Sequence, residues 1–432
     1  MSRRRIAVIG GGISGLTAGY VLSHTDDVTL FEAGNRLGGH ADTHLVVPAA
    51  GPSMPVDTGF IVCNERTYPL LTRLFGELGV TTRPAEMSMS VQCAGCGLQY
   101  AGQRGLAGLA AGLSQGRGRY LRMLAEVPRF HRAARRLLAT PRAGDLTFGE
   151  FLDQGGYSGY FQAHFALPVV AAVWSCPPGT ALSYPAEYLF RFLANHGMLS
   201  ISGSPPWRTV VGGSRSYVER VAKRLQTVRV SAPVRAVHRY PGGVEVQDAS
   251  GEALTFDAVV IATHPDQALR LLAEPTQAEQ EVLGAFQYTP NPALLHTDAR
   301  LLPSRQAARA SWNYELSSCH PSQTSTGPAA ATAATERAPR ISYHMNRLQS
   351  LSAAEEYIVT LGGEGVVDQA RVIDRMDYSH PAYTPTSVAA QRRLPELNTG
   401  VTAFAGAYHG WGFHEDGCRS GAEAARALGG AW

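Results

Sequence analysis

Apolar residues fall in three kinds of run along this chain, and each kind predicts a different element. Short unbroken blocks such as "IAVI" near the start, "VTLF" at 28–31 and "AVVIA" at 258–262 predict strands buried on both faces. Recurrence every three or four positions in "YLRMLAEVPRFHRAARRLLA" and "PAEYLFRFLANHG" predicts helices with one buried face. Strict alternation in "SMSVQCAGCGLQYAG" predicts a strand that turns at its glycines and returns. Residues 276–394 alternate strand-like runs with loops, and the polar, small-residue stretch from Ser318 to Arg340 predicts a surface loop. No internal repeat is present.

The opening "RIAVIGGGISGLTAGYVLSHTDDVTLFEAG" reads strand, glycine turn, helix, strand. Its basic start followed by four apolar residues is cut off by three glycines, which makes it a first buried strand and not a signal segment. Gly10, Gly12 and Gly15 give G-x-G-x-x-G, with Ile13 and Ser14 opening the helix and Glu32 closing the second strand, Ala33 beside it. Gly10 permits the tight turn, Gly12 lets backbone approach a pyrophosphate, and Gly15 lets helix and strand pack. The helix N-terminus offers amide donors to phosphates, and Glu32 can accept from both ribose hydroxyls of an adenosine. An adenine dinucleotide is therefore expected.

Composition narrows the class. A 432-residue chain suits two intermixed domains, and 44% hydrophobic with 17% charged residues describes a folded enzyme with an apolar interior or pocket. The net charge of +3 and the lack of basic runs interleaved with aromatics argue against nucleic acid. The uncharged stretch around "FALPVVAAVWSCPPG" is short and broken by proline, so it cannot span a bilayer. A local excess of arginine between Arg117 and Arg142 reads as a solvated helix face, or as a contact for anionic lipid or a carboxylate substrate. Six scattered cysteines indicate neither a disulfide framework nor a metal site, and the chain reads as cytoplasmic. Cys93 and Cys96 form a lone C-x-x-C, read as a hairpin turn in preference to redox or metal use.

After Glu32 the sequence continues with "NRLGGHADT" and "VDTGFIVCNERTYP", and it ends with "FAGAYHGWGFHEDGCRSGAEAARALGG". Together with "ISYHMNRLQ", these stretches resemble the FAD-binding amine-oxidase-like superfamily of monoamine oxidases, phytoene-type desaturases and protoporphyrinogen oxidase, in a bacterial branch. The resemblance covers nearly the whole chain. It implies an α/β fold: a Rossmann-type FAD-binding domain built from discontinuous segments (1–75, 205–275 and 395–432) with a mixed helical and β substrate domain (76–204 and 276–394). Implied FAD contacts beyond the fingerprint are Arg36, Gly38, Gly39 and His40, Thr58 and Gly59 beside Asp57, Val234 at the adenine, and Gly406, Ala407, Phe413, His414 and Gly417 at the flavin. His40 stands where many members carry arginine, and Ala407 where an acid is common.

Flavin chemistry resides in the cofactor, so few catalytic side chains are needed. The single lysine, Lys223, lies in a flavin-domain helix, which excludes the lysine-held water that many amine oxidases of this group use. His414 and Glu415 are the candidate acid or base, since an imidazole titrates near neutrality and a carboxylate in an apolar site has a raised pKa. Glu415 or Asp416 could instead cap the closing helix. Trp174, His196, His344, Tyr408 and Trp411 are candidate cavity residues. The expected activity is FAD-dependent oxidation or desaturation of an apolar, fatty-acyl or lipid-like small molecule, with oxygen or another electron acceptor. The alternatives are redox-neutral double-bond isomerisation and a non-catalytic flavin-binding accessory subunit.

Overall fold

A computed structural model describes residues 3–114, 117–140, 146–200, 203–319 and 339–432. The surface loop expected over Ser318–Arg340 falls mostly outside them.

The short apolar blocks assemble into one parallel sheet of five strands in the order Thr402–Phe404, Ala258–Ile261, Arg5–Ile9, Asp27–Phe31 and Thr227–Arg229. Because side chains alternate across a strand, both faces of this sheet are buried. Ile6, Val8, Val28, Leu30 and Val260 pack on one side, and Ala7, Ile9, Phe31, Val259 and Ile261 on the other. The first helix, Ile13–Leu22, is buried on every side, in keeping with a sequence of small and apolar residues that carries no charge. It lies against the closing helix, His414–Ala427, at near backbone contact: a Cβ on Gly421 would come 2.2 Å from the Ser14 carbonyl oxygen. Val234–Tyr240, Gly243–Asp248 and Ala253–Phe256 form a separate three-stranded antiparallel sheet.

Seven further strands make a second large sheet in the order Val372–Ala382, Gln287–His296, Ile358–Leu361, Arg340–His344, Trp312–Leu316, Met89–Cys93 and Gln99–Ala101. The expected turn-and-return of the alternating stretch is its edge hairpin. A helical layer completes the chain, with Arg117–Leu138 and Ala186–Asn195 at its centre. The long helix buries Tyr120, Met123, Phe130, His131 and Ala134 and turns most of its arginines outward. Arg129 lies over the Tyr157 ring and Arg135 donates to the Leu199 carbonyl, so this face is only partly a free solvated stripe. Among the described residues no helix is long and apolar enough to cross a membrane.

Candidate functional site

A cavity of about 1570 Å³ runs from the glycine turn of the parallel sheet to the helical layer. At one end its wall is built from Gly10, Gly12, Ile13, Ser14, Glu32, Ala33, Gly38, Gly39, Val234 and Gln267. Gly10 has φ +106°, and a Cβ there would lie 2.6 Å from the Ala262 oxygen, so only glycine fits this turn. The helix at Ile13 starts at Gly12 without a side-chain cap, leaving its first amides available to the cavity. The Glu32 carboxylate is fixed by the amides of Gly11 and Gly34, each at 2.7 Å.

The middle of the wall carries His40, Thr58, Gly59, Phe60, Tyr378, His380, Gly406, Ala407, Phe413 and His414. His414 stacks on Phe60 with ring centroids 3.9 Å apart, and its Nε2 lies 3.2 Å from the Tyr217 hydroxyl. Burial lowers its pKa to about 3, so the imidazole is neutral at physiological pH. The His40 ring stacks on Tyr378 and lies 5.2 Å from that of His380, and its buried Nε2 has no partner among the described residues. Burial, then the neighbouring His380, holds His40 well below the usual histidine range.

The far end is apolar. Leu109, Leu124, Val127, Phe130, Phe165, Val169, Val173, Phe192 and Leu193 wall it, together with Trp174, His196, Trp207 and Trp411. Trp174 donates its indole N–H to the Trp411 carbonyl at 3.2 Å, and His196 stacks on Phe192 with centroids 3.9 Å apart. Apart from histidines and tyrosines, the only ionisable side chains in the described wall are Glu32 and Arg270. Leu106 lines the mouth while remaining 86% exposed.

Several expected site residues stand elsewhere. Glu415 does not face the cavity: its two carboxylate oxygens accept the amides of Leu70 and Leu71, each at 3.0 Å, and so cap the helix Pro69–Leu78. The role of acid or base proposed for it gives way to helix capping. Asp416 accepts the Phe413 amide at 3.1 Å and caps its own helix. His344 also lies off the wall, with Nε2 2.5 Å from Glu356. Arg36 is outside too, but it donates to the Gly39 carbonyl at 3.0 Å and pairs with Asp42 at 2.6 Å, bracing the Gly38–Gly39 turn from behind. Gly15 and Gly417 act by close packing: added Cβ atoms would lie 1.9 Å from the Gly10 oxygen and 2.6 Å from Ile13. Tyr408 lines the wall from an apolar cluster shared with Ile9 and Phe31, on the nucleotide side. Lys223 is exposed on the surface.

Residues 13–429 match the sequence profile of the flavin containing amine oxidoreductases. The chain belongs to that family. The family is one of flavin-dependent oxidoreductases, and the cofactor is FAD. Among curated proteins, the coproporphyrinogen III oxidase of Mycobacterium leprae is 27% identical over 298 residues, covering 63% of this chain and 62% of that protein. The chain therefore matches less than two thirds of that relative's length. The fold is shared with cyclohexylamine oxidase from Brevibacterium oxydans (TM-score 0.67, 16% identity, 99% of both chains). A fatty acid isomerase from P. acnes that produces CLA has the same fold (TM-score 0.63, 17% identity, 98% of both chains).

The wall of this flavin amine oxidoreductase fits its cofactor. The uncapped helix start, the fixed Glu32 carboxylate and the unpartnered Nε2 of His40 are polar groups directed at the space a dinucleotide would fill. His264, Tyr288, Tyr378 and His380 complete that wall and were not anticipated. His264 stands two residues beyond the predicted strand "AVVIA", which places it just past the strand end beside the turn. Tyr378 and His380 come from an outer strand of the other sheet, and no local pattern announces them.

Proposed function

We propose that this flavoprotein oxidises or desaturates a long, uncharged apolar chain, of fatty-acyl or similar lipid character. The observation that carries this reading is the far end of the cavity, where, among the described residues, aliphatic and aromatic side chains form the wall without a carboxylate, a lysine or an arginine. A cationic amine would lose its hydration there with no counter-charge, at a cost of several kcal/mol. A hydrocarbon segment gains about 0.8 kcal/mol for each methylene it buries.

Bound FAD supplies the hydride acceptor, and oxygen or another acceptor then takes the electrons. The chain's own residues hold and orient the substrate. Phe413, stacked on Phe192, joins the flavin end to the far wall of Trp174 and Trp411, and neutral His414 lines the flavin end. In this reading the segments 1–75, 205–275 and 395–432 carry the cofactor, and 76–204 with 276–394 enclose the substrate. The exposed Leu106 at the mouth, close in sequence to the arginine-bearing helix, suits delivery from an anionic lipid surface.

The likeness to a fatty acid isomerase supports a second reading, redox-neutral double-bond migration in the same apolar site. Incubation of the holoprotein with unsaturated fatty acids and mass spectrometry of the products separates them. Loss of two hydrogens with consumption of an acceptor supports oxidation. An unchanged mass with a moved double bond supports isomerisation, and turnover of diamines alone would overturn both.

A further inference from the structure

The lone C-x-x-C does more than turn a hairpin. In the fold, His164 and Cys319 join Cys93 and Cys96, and the ligand atoms of all four lie within 4.8 Å of one another. We propose that these four side chains form a structural zinc site that staples the edge hairpin to the helical wall of the substrate cavity.

The distances suit a tetrahedral ion. Bonds of about 2.3 Å to sulfur and about 2.0 Å to nitrogen place two sulfurs about 3.8 Å apart and a sulfur and a nitrogen about 3.5 Å apart. The Cys93 and Cys319 sulfurs are 3.8 Å apart, and Cys96 Sγ is 3.6 Å from His164 Nε2. A disulfide would require about 2.05 Å. The His164 ring is oriented as a metal ligand's ring is: Nδ1 lies 2.9 Å from the Tyr160 carbonyl and donates to it, which leaves Nε2 with a lone pair directed at the sulfurs.

Backbone structure builds the cluster from three directions. Gly97, with φ +71°, closes the hairpin through Gly97 N–H to the Cys93 carbonyl at 2.9 Å. Gly95 lets the turn meet the strand that leads to Cys319, since a Cβ there would lie 3.1 Å from the Cys319 nitrogen. His164 sits in the π-helical stretch Gln162–Ala166, whose extra residue per turn changes the direction of its side chains. Cys93 and His164 are fully buried and the other two half-buried, a closed arrangement with no open coordination position for substrate. Cys93, Cys96 and Cys319 are free thiols, each carrying one proton in the absence of a metal. Binding Zn²⁺ would release those three protons to solvent, leave the oxidation state of sulfur unchanged and give a site of net charge −1. The staple would matter to the cavity because Val91, Tyr100 and Phe165, next to the ligands in sequence, line it, and Tyr100 donates to the His164 carbonyl at 2.7 Å.

Elemental analysis of the untagged holoflavoprotein, purified under reducing conditions, tests the site, with the flavin absorbance recorded in parallel to report folding. One zinc per chain is expected, released by a mercurial thiol reagent. The metal-depleted protein is expected to take up one Co²⁺ and show the intense visible bands of tetrahedral thiolate-bound cobalt. Cys96→Ser should lower zinc content at least tenfold while flavin binding persists. If that variant does not fold, the cobalt spectrum of the unaltered chain decides alone. A protein that neither contains zinc nor shields its thiols from a disulfide reagent when zinc is added would overturn the proposal. So would a Cys93–Cys319 disulfide in the protein as isolated. Neither result bears on the flavin reaction.

Discussion

The Glu415 carboxylate accepts the backbone amide of Leu71 at 3.0 Å, joining the first turn of the closing helix to that of a helix 344 residues earlier. The helix Pro69–Leu78 needs this because Tyr68 at its N-cap offers no side-chain hydrogen bond. Glu415→Ala should therefore lower unfolding stability by about 1–3 kcal/mol, with Glu415→Gln losing less because one acceptor remains. Flavin content should stay at wild-type level in both. A variant of unchanged stability whose flavin is no longer reduced would restore the acid-base role to Glu415.

Two glycines of the fingerprint should fail in different ways. A Cβ on Gly15 would press into the Gly10 carbonyl at 1.9 Å, whereas a Cβ on Gly12 meets no protein atom within 4 Å. Gly15→Ala should cost soluble protein as well as flavin. Gly12→Ala should fold with an unchanged melting temperature for the apoprotein and bind FAD at least tenfold more weakly, because its methyl occupies cofactor space. The ratio of flavin to protein absorbance and a thermal melt of the apoproteins check both outcomes.

Acid should destabilise the protein early. Burial holds His131, His196, His296 and His380 at about 4 and His409 and His414 at about 3, all below the ordinary value of 6.5. For a histidine with a depressed folded pKa, stability is present above the unfolded pKa and lost as pH falls towards the folded one. Roughly five protons would then be taken up on unfolding near pH 5. The melting temperature should fall steeply between pH 6.5 and 4, and the slope of stability against pH measures the proton count. A flat profile across that window would contradict the neutral, buried state assigned to these rings.

These predictions rest unequally on what the chain alone reveals. The first strand–turn–helix–strand unit, with its glycine turn and Glu32, and the closing helix are legible because each is written within about 30 residues, where apolar runs and glycine spacing follow directly from backbone geometry. Of the two acids of the last helix, Asp416 caps it locally, one of the two roles its sequence position allowed, but Glu415 reaches a partner that only the tertiary fold supplies. His344 fails for a similar reason, since Glu356 takes its Nε2 across a turn away from the cavity. Tyr378 and His380 enter from a distant strand, and the Cys319 and His164 neighbours of the C-x-x-C come from two other regions of the chain.

Substrate length should respond to the far wall. Val127 lines the apolar end from the arginine-bearing helix. Val127→Trp should fill part of that space and shift preference towards shorter chains, lowering kcat/KM for long ones by about tenfold or more with little change for short ones, as one or two excluded methylenes would do. Competition between fatty acids of different length in one reaction reads this directly. An equal loss for all lengths would place the substrate elsewhere.

The most direct test of the account is the visible absorbance of the purified protein without oxygen, recorded as NADPH, a diamine and a long-chain fatty-acyl compound are added in turn. With one dinucleotide fingerprint, no acidic residue in the far wall and an apolar chamber beside the flavin, the account predicts an FAD spectrum that NADPH and the diamine leave oxidised and the fatty-acyl compound bleaches. Rapid bleaching by NADPH or the diamine, with the fatty-acyl compound inert, would contradict it.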